Sequence, residues 1–133
     1  MLRLLALALS LYSPRPDFAA SVQYWQRELG LTAWNVRVEA VGRAELDDGT
    51  VGHIDADRGA RTAVIRLLRE EEYRFPIREA RSDQKLTIAH EMMHLRRLES
   101  GDPDWQEENG TVEQTYKALR SHRRWRELLV AER

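Results

Sequence analysis

The stretch from Ser82 to Ser100 constrains this chain more than any other. Its apolar residues Leu86, Ile88, Ala89, Met92, Met93 and Leu95 cover most of a helical cylinder. A helix apolar nearly all round is a buried one, so the fold must be built around it. Ser82 or Asp83 is suited to cap its start, and Gly101 followed by Pro103 supplies a stop. Set into its polar strip is His90-Glu91-Met92-Met93-His94. Histidines four residues apart stand one turn above another on the same face, so both imidazoles reach one metal ion. The glutamate between them is rotated by about 100°, away from the metal but within reach of water beside it. Two neutral nitrogen ligands and a poised carboxylate form the front half of a zinc hydrolase site. Chance would place this pentapeptide in such a chain roughly 1% of the time.

The third ligand is less directly marked. The metzincin pattern needs His six residues after the second histidine and Gly three after it. Ser100 and Arg97 stand there instead, so that pattern fails. The alternative is a glutamate from a following helix. Thr111-Val112-Glu113-Gln114 reads as a capping box, with Thr111 as N-cap and Glu113 in the first turn. Gly101 to Gly110 reads as the loop between two helices, long enough to return the chain to His94. Glu107 and Glu108 are rivals within that loop. Rigid elements hold ligands better than loops, so Glu113 is the expected ligand. A first-turn acid favoured by the helix dipole is the plainer explanation of Glu113.

At this point the chain resembles a family. Thr87-Ile88-Ala89-His90-Glu91-Met92-Met93-His94-Leu95 resembles the active-site helix of zincin metallopeptidases. With Glu113 downstream it is similar to the gluzincin branch, especially minigluzincins and SprT-like or ImmA-like peptidases. Glu28-Leu29-Gly30-Leu31-Thr32-Ala33-Trp34 also looks like the helix-to-strand entry of such small domains. The likeness spans about Phe18 to Leu119. It implies a zinc-dependent endopeptidase with a sheet beside the active-site helix, and says little about the substrate.

The other segments complete an α+β reading. Phe18, Val22, Trp25 and Leu29 form one helical stripe, with Asp17 to cap it and Gly30 to end it. Trp34, Val36, Val38 and Ala40 alternate with polar residues as a half-buried strand. Val51–Asp55 and Thr62–Leu68 read as two more strands, a hairpin joined through Asp57-Arg58-Gly59. The expected domain is therefore a small α+β unit over residues 17–133, with a mixed sheet of three or more strands. At 133 residues it holds a single core.

Composition excludes other classes. Net charge is −1, so no overall field draws the protein to nucleic acid or membrane. The absence of cysteine excludes disulfides and thiolate ligands. Residues 1–16 open with Met1-Leu2-Arg3 and a short apolar core. They read as an abbreviated signal peptide or as a helix before Pro14 and Pro16. The minimal charge and the lack of an A-x-A site favour the helix and a cytoplasmic protein; a cleaved segment would mean a secreted one. This segment is too short to span a bilayer.

The expected mechanism follows. Zinc on His90, His94 and Glu113 keeps a fourth position for water and lowers its pKa to about 7. Glu91 accepts the water proton and returns it to the leaving amine. Thr62–Leu68 is the strand expected to offer an open edge to an extended peptide. Tyr116, three residues beyond Glu113, could stabilise the oxyanion or simply pack beside Val112 and Leu119. His53 and His122 read as structural or exposed. The alternatives are a non-proteolytic zinc-binding sensor or interaction module, and nucleic-acid contact through the basic run Arg120 to Arg126.

Overall fold

The structure, a computed structural model, describes residues 18–122. The segment 1–16, the Asp17 cap and residues 123–126 of the basic run lie outside them. The described residues form an α+β domain in the order α1 (Phe18–Glu28), β1 (Asn35–Val41), β2 (Gly52–Asp57), β3 (Thr62–Leu68), α2 (Ile77–Glu99) and α3 (Glu108–Ser121). Among them no helix is long and apolar enough to cross a membrane.

The sheet is three-stranded and mixed, in the order β1-β3-β2. β1 runs parallel to β3, with Asn35 opposite Thr62, and β2 runs antiparallel to it, with Gly52 opposite Leu67. The expected open edge is therefore misplaced: Thr62–Leu68 is the central strand. Its Ala63, Ile65 and Leu67 lie on one buried face, while Val64 and Arg66 are half-buried on the other. The edge beside α2 is β2. Leu68 N donates to Val51 O at 2.9 Å. By the period of two, Gly52, Ile54 and Ala56 then turn their backbone groups to the open side.

One face of the sheet carries Ile54, Ala63, Ile65 and Leu67 into a core with Trp25, Ile88, Met92 and Leu95. The other face is polar, with Glu39 pairing to Arg37 and Arg66, and Asp55 to Arg66 and His53. In β1 the alternation breaks at its end, where Ala40 is exposed and Val41 buried. Gly52 lets α2 approach the edge strand, because a β-carbon there would collide with Thr87 Cγ2.

Helix α2 starts earlier than expected. It opens at Ile77 behind Pro76, so Ser82 and Asp83 lie inside it rather than capping it. Proline at a helix entry gives up an N–H that the helix would not use. At the other end Gly101 adopts φ 84°. Its N–H bonds Leu98 O, and Asp102 N bonds Arg97 O, both at 3.0 Å. This pair of bonds closes a helix by a left-handed glycine, as the sequence predicts. Gln84 Nε2 bonds Leu68 O at 2.9 Å, and Trp34 Nε1 bonds Glu99 Oε2 at 2.9 Å, fixing α2 against the sheet at both ends.

Helix α3 also starts earlier. Glu107 is its N-cap, with both carboxylate oxygens accepting from Gly110 N at 3.1 and 2.8 Å. Thr111 is not the cap. Its hydroxyl lies within the first turn and donates back to Glu107 O at 2.7 Å. The shift puts Glu108 at the first helical position and Glu113 in the second turn.

Candidate metal centre

His90 and His94 meet as their spacing requires, with Nε2 atoms 3.1 Å apart. Glu108 closes the group from α3, its Oε2 2.8 Å from His90 Nε2 and its Oε1 3.0 Å from His94 Nε2. Glu91 lies against them, and ligand atoms of His90, Glu91 and His94 fall within 4.8 Å of one another, a group that could hold a metal ion. Glu113 is exposed. At 100° per residue it stands about 140° round α3 from Glu108, on the side facing away from α2. Of the glutamates weighed from sequence, the loop rival Glu108 is the one brought to the histidines.

The donor set can be tested for fit. A tetrahedral zinc site with bonds of about 2.0–2.1 Å has donor–donor edges of about 3.3–3.4 Å. The three separations, 2.8, 3.0 and 3.1 Å, sit slightly inside that. The tautomer makes a stronger argument. His94 Nδ1 lies 2.6 Å from Trp105 O, which can only accept, so Nδ1 carries the hydrogen. In the neutral ring Nε2 is then a bare lone pair, and it faces a carboxylate oxygen at 3.0 Å. Two acceptors at that distance repel unless a cation, either a proton or a metal ion, lies among them. His94 itself is 2% exposed.

His94 is braced from below. Its Nδ1–H is shared with Thr111 Oγ1 at 3.2 Å. Arg97 Nη1 donates to the same hydroxyl and to Glu107 O, each at 2.9 Å, and Arg97 Nε donates to Asp102 Oδ2 at 2.8 Å. One buried guanidinium thus ties together the loop that carries Trp105 and Glu108. The Asp102 and Glu107 carboxyls are held below their usual range, Asp102 chiefly by the Arg97 bond and Glu107 chiefly by Gly110 N. Sequence reasoning noted Arg97 only as the wrong residue for another pattern. The available signal was its place three residues after His94, on the same helical face.

The electrostatics separate the two remaining groups. Burial, with Glu108's charge behind it, pushes the Glu91 carboxyl up to about 8. Burial also lowers the His90 imidazole, against the hydrogen bond it donates to Glu108, which raises it. A cation within the group would draw the Glu91 carboxyl back down.

A cleft of about 330 Å³ opens beside His90, between α2, α3 and the segment entering β2, walled by Val51, Leu86, Thr87, Val112 and Leu119. Tyr116 stands on its rim and is 58% exposed, so it is not the core residue that its alternative reading described. A smaller pocket of about 70 Å³ continues past Glu91 and His94 along Gly52 and Ile54. His53 is exposed and paired with Asp55, and His122 pairs with Glu28 at 3.3 Å on the far side of the domain. No protein-family model, curated protein or solved structure matches the chain.

Proposed function

We propose that the protein is a zinc metallopeptidase in which His90, His94 and Glu108 hold the ion and Glu91 is the general base. The observation that carries this reading is the lone pair of His94 Nε2, fixed by the Trp105 carbonyl, facing Glu108 Oε1 at 3.0 Å beside a buried carboxylate. The resemblance to small gluzincins supports the same ligand types, with Glu108 taking the place first expected for Glu113.

Zinc, when bound, supplies Lewis-acid polarisation of a carbonyl and makes water acidic near neutral pH. The residues of the chain do the rest. Glu91 takes a proton from the attacking water on its carboxylate and passes it to the amine nitrogen that leaves. The outward backbone groups of Gly52 and Ile54 offer an extended peptide the hydrogen bonds of an added strand. Tyr116 stands on the same cleft as His90 and Glu91, where its hydroxyl can donate to the substrate carbonyl oxygen.

Metal analysis of the purified chain, alongside peptide cleavage with and without a chelator, tests the proposal. About one zinc per chain and chelator-sensitive cleavage are expected. Glu91→Gln should keep the metal and lose cleavage, because an amide cannot accept the proton. Near-normal cleavage by that variant would exclude Glu91 as the general base. Glu108→Gln should weaken zinc binding while Glu113→Gln leaves it within about twofold; the reverse order would restore Glu113 as the ligand.

A further inference from the structure

Among the described residues, the acidic wall of the cleft beside His90 is formed by Asp83, Glu91 and Glu108, and no lysine or arginine lines it. Glu91 and Glu108 belong to the centre already described, and Asp83 does not. It stands two turns before His90 on the same face of α2, about 10 Å along the helix. Between them the cleft wall is apolar, formed by Leu86 and the Thr87 methyl, with Val112 and Leu119 facing from α3.

The Asp83 carboxylate is held in place. Tyr73 Oη donates to its Oδ2 at 2.9 Å, and one such bond leaves most of a carboxylate's acceptor capacity open. The nearby loop cation Arg43 is engaged by the carbonyls of Asp47 and Thr50. Burial pushes the Asp83 carboxyl above its usual range, the mark of a charge that its surroundings do not compensate in full.

We infer that this cleft receives a lysine or arginine side chain of the substrate peptide, its aliphatic stem against Leu86 and Leu119 and its cationic head at Asp83. The inference rests on the peptidase reading and adds the substrate class to it. A long side chain with a charged end matches an apolar channel closed by a carboxylate, and the low-dielectric wall strengthens the charge-assisted bond.

The test uses full-length protein and labelled decapeptides of alanine and glycine that carry one Arg, Lys, norleucine or Glu. Binding is read by fluorescence anisotropy on the metal-free Glu91→Gln chain, and cleavage on the zinc-loaded native chain. The Arg and Lys peptides should bind about tenfold tighter than the norleucine peptide, and their kcat/KM should rank the same way. Asp83→Asn should erase the difference, and Asp83→Lys should turn it toward the Glu peptide. Tyr73→Phe, which removes the bond to Asp83 but not its charge, should keep the preference for cations. Binding that discriminates by charge without any cleavage would keep this subsite and overturn the peptidase reading. Cleavage at equal rates with and without Asp83, or tightest binding of norleucine in every variant, would overturn the subsite and leave the peptidase reading standing.

Discussion

The two histidines of the centre sit at unlike ends of one groove. Around His94 everything is tied down: Nδ1 to Trp105 O, Thr111 to His94, Arg97 to Thr111, Glu107 and Asp102. Around His90 the described partners reach only Nε2, and they are members of the centre itself, Glu108 and His94. Beyond His90 lies the cleft. One imidazole is therefore fixed by the fold, and the other only by its neighbours in the group. A rigid floor with an open approach is the arrangement a site needs if it must keep its geometry while exchanging substrates.

The largest effect that separates the two ends concerns the histidines. His90→Ala and His94→Ala should each lower zinc affinity by at least about a thousandfold, since two remaining donors do not hold the ion. In metal-free protein their consequences should diverge. His94→Ala also strips the Trp105 carbonyl of its donor and empties a filled site, costing about 2 kcal/mol in a denaturant titration. His90→Ala should cost less than about 1 kcal/mol. Equal losses would remove the contrast.

Next comes Arg97→Met, which keeps the aliphatic volume and removes the guanidinium. It should destabilise the metal-free chain by about 2–3 kcal/mol, because buried Thr111 and the half-buried Glu107 carbonyl lose their donor. Hydrogen exchange should rise in residues 101–110 and not around Asp83. A uniform rise across the domain would mean that Arg97 supports the whole fold, not this loop.

The open end has its own tight point. Gly52→Ala should cost about 1–3 kcal/mol by forcing β2 from α2. Thr87→Ser in the same chain removes the colliding methyl and keeps the hydroxyl bond to Asp83 O, so most of the loss should return. A pair of variants whose losses simply add would place the strain elsewhere.

The smallest expected effect is Thr111→Val. The shape survives, but the acceptor shared by His94 and Arg97 is lost, and zinc affinity should fall about tenfold. Thr111→Ser should stay near the native value. A Val variant with native affinity would show that Trp105 O alone orients the ring.

Which of these features the sequence disclosed depends on how local their causes are. The pairing of His90 with His94 follows from helical spacing alone, and the Gly101 stop from the left-handed conformation that closes a helix. The stripe of Val22 and Trp25 and the hairpin around Arg58 are likewise set by neighbours in the chain. The start of α3 was read four residues late, because a capping box at Thr111 competes with a Glu107 carboxylate that accepts from Gly110 N. That shift is what turns Glu113 away from α2 and brings Glu108 to the centre. The open edge was misplaced for a different reason: β1 and β3 pair across a long intervening segment, and no local pattern fixes which strand lies between. Arg97 escaped notice because its partners, Asp102, Glu107 and Thr111, converge on it only once the loop is closed.

That sheet order also sets a sequence of events in time. β2 and β3 are joined by residues 58–61 alone, whereas β1 must wait for a partner beyond β2. Closing a short loop takes well under a microsecond and a hairpin forms within about ten, while a parallel pairing across a distant segment is slow. The β2–β3 ribbon is thus the piece that a newly made chain can assemble first, with β1 docking later on the side away from the histidines. The strand beside the two histidines would then be in register before the domain is complete, and α2 would arrive at an edge already formed.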